Sequence, residues 1–205
     1  KLPIPMLLCV GSINTFLINK KLRGYVSINV QSVEAMDTHS FATLIGVGAT
    51  TVNPYLAFDS LHQRFSKKLF GQFSFDDCVE RYIKSVNAGL LKIMSKMGIS
   101  VLSSYRGGCN FETVGLSRTV VDDYFPGVTS KISGIGLTGI EKKIREIHKE
   151  AFESSETVLP IGGIYRYRKN GETHQYQGRL IHVLQSAVGS NSYEAYKKYA
   201  EGIYN

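Results

Sequence analysis

The chain has 205 residues, and 24 lysine and arginine residues against 17 aspartate and glutamate residues give a formal charge of +7. Hydrophobic residues make up 43% of the sequence and charged residues 20%, so the chain can bury a core, which excludes disordered, collagen-like and coiled-coil proteins. The length suits one large domain or parts of two. Its apolar stretches are much shorter than the ~20 residues that cross a bilayer. We therefore expect a soluble, cytoplasmic protein without a membrane partner.

The first third of the sequence predicts a parallel α/β unit. Residues 25–31 alternate β-branched and polar side chains, a pattern typical of a strand. We predict a helix at residues 38–45, a short buried strand at 49–52, and a second helix at 54–65 that begins with proline. Because the order is strand, helix, strand, the two strands are expected to be parallel.

A linker and a long helix follow. Residues 66–74 are rich in polar side chains and glycine, which indicates a linker, and we place a domain boundary between residues 66 and 67. From residue 75 to residue 97, apolar side chains recur at steps of three and four. This spacing predicts an amphipathic helix that Gly98 ends and that Gly89 could interrupt.

A strand that ends in a glycine turn is predicted next. Residues 99–105 (ISVLSSY) have strand character and lead directly into Arg106, Gly107 and Gly108. Folds of the α/β class place their chemistry where a strand ends in such a turn.

The last third of the sequence predicts four helices and a hairpin. Ser117 is expected to cap a helix that ends at residue 125. Thr138 and Glu141 form the pattern of a capping box for a helix at residues 140–152. The buried stripe of that helix is predicted to consist of Ile140, Ile144 and Ile147. The turn Asn170–Gly171 predicts a hairpin between residues 165–169 and 172–176, and helices are predicted at 180–188 and 193–204.

Two neighbouring stretches carry candidate binding side chains. Lys96 lies between Ser95 and Ser100, where these groups could contact a phosphate or the edge of a flavin ring. The alternative is that Met94 and Met97 belong to the core and Lys96 is simply exposed. Arg106 could offer its guanidinium to an anion, together with the backbone N–H groups of the glycines. The alternative is a surface arginine in a structural turn.

Other functional classes receive little support from the residues. Three separated cysteines and five scattered histidines do not have the spacing of a disulfide framework or of a metal site. The basic residues are dispersed. The nearest approaches to a patch are three short stretches: Lys20, Lys21 and Arg23; Arg64, Lys67 and Lys68; and Arg166, Arg168 and Lys169 beside Tyr165 and Tyr167. Because specific nucleic-acid binding needs concentrated charge, nucleic acid is not the expected partner.

Two longer segments resemble a known family. Residues 82–116 contain SKMGIS at 95–100 and SYRGGCNFETVGL at 104–116. This segment is similar to the one that opens the flavin-binding synthase domain of glutamate synthase large chains. Residues 38–58 (THSFATLIGVGATTVNPYLAF) are similar to the end of the central domain of the same family. The chain is identified as a member of that family.

The resemblance implies an α/β fold of parallel strands with flanking helices, an incomplete portion of a larger multidomain enzyme. Residues 1–66 would be the C-terminal part of the central domain, and residues 67–205 the N-terminal part of the FMN-binding (β/α)8 domain. A complete barrel of this kind needs roughly 200–250 residues. The second part is therefore expected to be a partial barrel.

The resemblance also implies a function. Glutamate synthase converts glutamine, 2-oxoglutarate and a reductant into two molecules of glutamate, with FMN and a 3Fe–4S cluster, whose ligands this chain lacks. The chain is expected to contribute scaffold and part of the FMN and 2-oxoglutarate region, and to be inactive alone. Its partners would be the remaining segments or subunits of the enzyme, or a second copy. The alternative is a stand-alone, non-catalytic structural or interaction protein derived from that enzyme.

Carried over from the family, six residues are expected on the flavin side, because they surround the carboxyl end of the first predicted barrel strand. They are Ser95, Lys96, Met97, Gly98, Ser103 and Arg106. The chain also departs from the family pattern. Cys109 stands where glutamine is usual, Asn14, Thr15 and Ser40 stand where histidines are usual, and Ile164 stands where an acid is common.

Overall fold

The computed structural model describes residues 2–153, 161–164 and 166–204. Two compact units make up the chain, Lys1–Phe152 and Glu153–Asn205.

The first half of unit 1 contains three helices, a 3-10 turn and two short strands. They are α1 (Met6–Asn19), the 3-10 turn (Arg23–Tyr25), β1 (Asn29–Gln31), α2 (Thr38–Gly46), β2 (Thr51–Asn53) and α3 (Tyr55–Ser66).

The second half of unit 1 begins with a long helix and contains a second pair of strands. Its elements are α4 (Phe75–Met97), α5 (Leu102–Tyr105), β3 (Glu112–Leu116), α6 (Arg118–Tyr124), β4 (Thr129–Ile135) and α7 (Leu137–Glu153).

The predicted parallel unit is confirmed. Strands β1 and β2 pair in parallel, with Val30 opposite Val52, and α2 connects them. Both strands are shorter than predicted. Tyr25 belongs to the 3-10 turn, and the Ala49 N–H group donates to the Leu44 carbonyl at 2.9 Å. The chain therefore leaves α2 through a tight turn before β2 begins.

Helix α2 lies at the centre of the main core. Its apolar side chains are buried together with residues of α1, the β1–β2 pair and α4. The buried members of this cluster are Val10, Ile28, Val30, Ala35, Phe41, Leu44, Ala49 and Val86.

Helix α4 has the predicted bounds and is continuous through Gly89. A capping box between Ser74 and Asp77 begins the helix, and Gly98 ends it with a φ of 70°. A Cβ atom added at Gly89 would lie 2.5 Å from Cγ2 of Thr38 on α2. The glycine is therefore explained by close packing between α4 and α2, and not by a break in α4.

The predicted strand at residues 99–105 is wrong. Val101 is extended, but Leu102–Tyr105 forms the short helix α5, and the Arg106 N–H group donates to the Leu102 carbonyl at 2.9 Å. A strand needs a neighbour for its backbone groups, and among the described residues this segment pairs with none. The helical turn instead buries Tyr105, which is 1% exposed.

A second parallel pair, which the sequence analysis missed, is formed by β3 and β4. Helix α6 connects them, and the Val120 N–H group donates to the hydroxyl of Ser117, which confirms the predicted cap. The side chains of the facing pair Val114 and Ile132 are 66% and 60% exposed. Neither of these two side chains is buried. The strands therefore show no clear alternation of apolar and polar residues by which the sequence analysis could have found them.

Among the described residues, the strands form two separate two-stranded sheets and no closed barrel. A mixed α/β structure with short parallel strands and flanking helices is thus confirmed. The partial barrel stays a prediction. No described helix combines the length and the apolar character that a membrane span requires.

Helix α7 differs from its prediction in two ways. It begins at Leu137, so Thr138 lies inside the helix and the predicted capping box with Glu141 is wrong. The predicted buried stripe is also wrong, because none of the described residues of α7 is buried and Ile147 is 67% exposed.

Unit 2 contains two helices, α8 (Gly178–Gly189) and α9 (Tyr193–Tyr204), both of which were predicted. They pack against each other, with Leu180 at the position that a Cβ atom of Gly202 would occupy.

In unit 2, the predicted hairpin turn is present, but its two predicted strands are wrong. Asn170 does form a turn with a φ of 63°, and the Gly171 N–H group donates to the Arg168 carbonyl at 3.0 Å. No strand flanks this turn among the described residues, and Tyr165 of the predicted hairpin lies outside them.

The first testable prediction concerns the N-terminus of α2. The Ser40 hydroxyl and N–H groups donate to Asp37, and these bonds lower the pKa of its carboxyl. Asp37→Ala should lower the free energy of unfolding by about 1 kcal/mol at pH 7. A carboxyl with a lowered pKa stabilises the fold above its unfolded pKa, and this contribution is lost as the pH falls through the folded pKa.

The difference between Asp37→Ala and the unchanged chain should therefore shrink below about pH 4. Urea unfolding at pH 7 and pH 3 measures it. The exposed Asp59 on α3 provides the control, since Asp59→Ala should have little effect at either pH. A difference that stays constant between the two pH values would contradict the capping role.

The second prediction concerns the contact between α4 and α2. Helix propensity alone favours alanine over glycine by about 1 kcal/mol. Gly89→Ala should nevertheless destabilise the chain by about 1–2 kcal/mol, because the new methyl group meets Thr38. In a Thr38→Ala background the same change should be neutral or stabilising. A stabilising effect of Gly89→Ala in the unchanged chain would contradict this packing.

Candidate functional site

The six predicted site residues lie in one segment of 12 residues, from 95 to 106. Ser95, Lys96 and Met97 belong to the last turn of α4, and Ser103 lies on α5. All six are accessible: Arg106 is half-buried and the other five are exposed. None of them lines either of the two cavities described below. The segment is thus an open surface.

The two methionines near this surface have different environments. Met94 is buried in a small cluster with Ile45 and Tyr105, whereas Met97 is 42% exposed. The core alternative therefore holds for Met94 and fails for Met97. Lys96 is exposed in the last turn of α4, where a positive charge also interacts favourably with the helix dipole.

The turn that carries Arg106 is anchored by the preceding residue. The buried Tyr105 hydroxyl donates to the Ala42 carbonyl at 3.1 Å, and burial raises the pKa of this phenol. The Tyr105 carbonyl accepts hydrogen bonds from the Gly108 N–H group and from Nδ2 of Asn110. These bonds fix the start of the turn on α2.

A second arginine, Arg23, which the sequence analysis named only as part of a basic stretch, interacts electrostatically with Arg106. Nε of Arg23 donates to Oδ1 of Asn14 at 2.7 Å, Nη2 donates to the Gly48 carbonyl at 2.7 Å, and Nη1 donates to the Val26 carbonyl at 2.8 Å. Burial, and then the positive charge of Arg106, lower the pKa of Arg23. The sequence around Arg23 did not indicate its interaction with Arg106, because the two residues are far apart in the chain.

A small cavity of about 70 Å³ lies between α1 and the turn after Arg106, and neither Arg23 nor Arg106 lines it. Asn14, the partner of Arg23, lines it, and so do Gly107 and Cys109 from the turn after Arg106. Residues of α1, the end of α2, the segment before β3 and the end of α6 with the loop after it complete its wall: Thr15, Ile18, Gly46, Val47, Phe111, Tyr124, Phe125, Pro126 and Val128.

A larger, open cavity of about 500 Å³ lies at the end of β2, between α2, α3 and α4. Its lining is mostly apolar and includes Phe41, Phe58 and Val86. Among its described lining residues, Tyr82 alone is ionisable, and the Tyr82 hydroxyl donates to the Met36 carbonyl at 3.0 Å. Because this lining offers no acid or base for catalysis near neutral pH, the cavity is suited to packing an apolar group.

The described residues contain no group of three or more histidine, cysteine, aspartate or glutamate side chains that could hold a metal ion. Cys9, Cys78 and Cys109 are free thiols.

Comparison with known proteins identifies the family. Residues 1–117 match the family model of the glutamate synthase central domain. The large chain of glutamate synthase [NADPH] from Azospirillum brasilense is 52% identical over 200 residues, which are 98% of this chain and 13% of that protein. This chain belongs to the glutamate synthase family.

Other members of the glutamate synthase family show the same coverage. The large chain of glutamate synthase [NADPH] from Bacillus subtilis is 43% identical over 97% of this chain and 13% of its own length. The ferredoxin-dependent glutamate synthase of Pyropia yezoensis is 40% identical over 100% of this chain and 14% of its own length. The chain thus spans about one seventh of the relatives that it matches.

The match to the glutamate synthase central domain continues past the predicted boundary at residue 66, through α4 and β3. The structure also brings together three positions that the sequence analysis noted as departures from the family pattern. Asn14, Thr15 and Cys109 line the same small cavity. Ile164 lies in unit 2 and is exposed.

The third prediction concerns the anchor of the Arg106 turn. Tyr105→Phe removes the hydroxyl that donates to the Ala42 carbonyl and should lower the free energy of unfolding by about 1 kcal/mol. Tyr204→Phe, at an exposed position of α9, is the matched control and should have no measurable effect. Denaturant unfolding of both variants measures the difference. Equal stability of the two variants would show that the buried hydrogen bond does not anchor the turn.

Proposed function

We propose that this chain acts as a segment of a glutamate synthase large chain, contributing scaffold and part of the FMN and 2-oxoglutarate region, and that it has no turnover alone. One observation carries the proposal: the chain matches glutamate synthases over nearly its whole length while covering only 13–14% of theirs. The whole enzyme would convert glutamine, 2-oxoglutarate and a reductant into two molecules of glutamate.

The partners in this proposal are the remaining segments or subunits of the enzyme. The facing side chains Val114 and Ile132 and the side chain of Ile147 on α7 are all at least 60% exposed. Exposed apolar area of this kind is stabilised when further secondary structure covers it. The parallel β3–α6–β4 unit is also the repeating element of a (β/α)8 barrel. Both features support a partial barrel that other parts of the enzyme complete.

The six site residues offer positive charge, hydroxyl groups and an apolar side chain to a flavin ring and its polar edge. FMN, when bound, would supply the hydride that reduces the imino intermediate. Lys96 and Arg106 would place positive charge beside the cofactor, and the Ser95 and Ser103 hydroxyls would donate hydrogen bonds to it. Met97 would offer an exposed apolar contact. A ligand could approach the backbone at Gly98 closely, since a Cβ atom there would meet no neighbour within 4 Å.

A second candidate function is a stand-alone, non-catalytic structural or interaction protein. The observation that favours it is the clustering of the three altered family positions, Asn14, Thr15 and Cys109, in one cavity. If the chain had lost a catalytic contact, the residues that formed it could change together, which would produce altered positions in one place. The exposed apolar side chains would then bind a partner or a second copy.

A flavin titration tests the cofactor part of the proposal and is the fourth prediction. Quenching of FMN fluorescence by the 205-residue chain should be saturable. Lys96→Ala and Arg106→Ala should each weaken binding roughly tenfold, the value of one charge-assisted hydrogen bond. Lys92→Ala, at an exposed position earlier on α4, is the matched control and should bind like the unchanged chain.

Absence of saturable quenching would contradict the cofactor role and favour the scaffold or interaction function. Formation of glutamate from glutamine, 2-oxoglutarate and a reductant by the chain alone would contradict the proposed inactivity.

A further inference from the structure

Helix α7 carries an apolar stripe that is not buried in the described part of the chain. The residues of this stripe recur at alternating steps of three and four, which places them on one face of the helix. They are Leu137, Ile140, Ile144, Ile147 and Ala151. None of them is buried, and Ile147 is 67% exposed. The main packing contacts between described elements do not involve α7. A continuous exposed stripe of this kind marks an interaction surface.

The charges of α7 balance, although the chain as a whole is basic. The helix contains four basic and four acidic residues, so its formal charge is zero, whereas the whole chain carries +7. The excess positive charge of the chain opposes the association of two copies, but α7 adds nothing to this repulsion. An acidic partner would be attracted to the basic remainder of the chain and not to α7. The surface of α7 therefore suits a second copy better than an acidic partner.

An antiparallel arrangement of two copies of α7 brings their apolar stripes together. When Ile144 of one copy faces Ile147 of the second copy, Ile140 faces Ala151, because both pairs are symmetric about the same point between residues 145 and 146. Each of these apolar residues then has an apolar neighbour across the interface. The arrangement has twofold symmetry, so every contact between the two copies occurs twice.

The charged residues beside the stripe fit the same antiparallel register. Lys143 and Glu150 lie along one edge of the stripe, about two helical turns apart. In the antiparallel pair these edges face each other, so Lys143 of each copy lies opposite Glu150 of the other. On the other edge Glu141 lies opposite His148, but Glu141 also binds Arg145 of its own helix at 2.7 Å. In a parallel pair, Lys143 would lie opposite His148 instead of an acid. The contact between Lys143 and Glu150 therefore favours the antiparallel orientation.

We propose that the 205-residue chain forms a twofold-symmetric dimer through α7, in which the apolar stripes of two antiparallel copies cover each other. The Lys143–Glu150 contacts between the copies fix the orientation. In the absence of the remaining segments of the enzyme, the second copy covers the exposed side chain of Ile147. The inference does not depend on the FMN proposal, because residues 95–106 lie outside α7.

The fifth prediction tests the dimer by analytical ultracentrifugation of the purified chain at concentrations up to about 1 mM. The unchanged chain should show a concentration-dependent equilibrium between monomer and dimer. Ile147→Asp should weaken the dimer at least about tenfold, because it places a charge in the apolar interface. Val188→Asp makes the same kind of change at a position of α8 that is 74% exposed. It is the matched control and should dimerise like the unchanged chain.

An exchange of charges tests the antiparallel orientation. Lys143→Glu and Glu150→Lys should each weaken self-association about tenfold, because each places like charges opposite each other at two symmetric contacts. An equimolar mixture of the two variants should form a dimer about as stable as that of the unchanged chain, since the acidic edge of one variant then lies opposite the basic edge of the other. Lys142→Glu, at an exposed position away from the stripe, is the matched control and should dimerise normally.

A chain that stays monomeric over this concentration range would overturn the proposal, and so would an undiminished dimer of Ile147→Asp whose circular dichroism shows that it is folded. Failure of the mixed variants to restore the dimer would overturn the antiparallel pairing. Because Lys96→Ala affects only the flavin titration and Ile147→Asp only the dimer, failure of one proposal is distinguishable from failure of the other.

Discussion

Burial of helix α2 is the constraint on which the rest of unit 1 depends. Five of its residues, Phe41, Ala42, Leu44, Ile45 and Gly46, are buried. The helix packs between the parallel β1–β2 pair and the helices α1 and α4, and it also receives the hydrogen bond from Tyr105. A helix with so much buried surface permits little adjustment, since interiors are close-packed. The loops that carry the candidate sites are therefore positioned by their attachments to α2.

Close approach to α2 and α1 requires several glycines. A Cβ atom at Gly46 would meet the Phe111 ring, and one at Gly48 would lie 2.5 Å from Oδ1 of Asn14. The second of these contacts keeps Asn14 within reach of Arg23, whose side chain binds both Asn14 and the Gly48 carbonyl. Glycines with this role serve packing, which explains why they carry no recognisable binding motif of their own.

The candidate flavin surface and the small cavity differ in how much of them could be predicted from the sequence. Ser95–Arg106 is one continuous segment, so a family motif was sufficient to nominate it. The small cavity is lined by Asn14 and Cys109, which are 95 residues apart in the chain and meet only in the folded structure. Arg23 is connected to it through its hydrogen bond to Asn14. Asn14 and Cys109 were noted only as departures from the family pattern, and their shared cavity gives these departures a common location.

Local sequence by itself determined most helices of this protein, because apolar periodicity and capping residues act within a few turns. Helices α4 and α9 have the predicted bounds, and the parallel pairing of β1 with β2 was also predicted. Tertiary structure decided the segments whose partners are distant. Residues 99–105 have strand character but form a helical turn, because no strand lies beside them among the described residues and Tyr105 is buried against α2. The strands β3 and β4 lack a clear apolar pattern and form because they pair with each other.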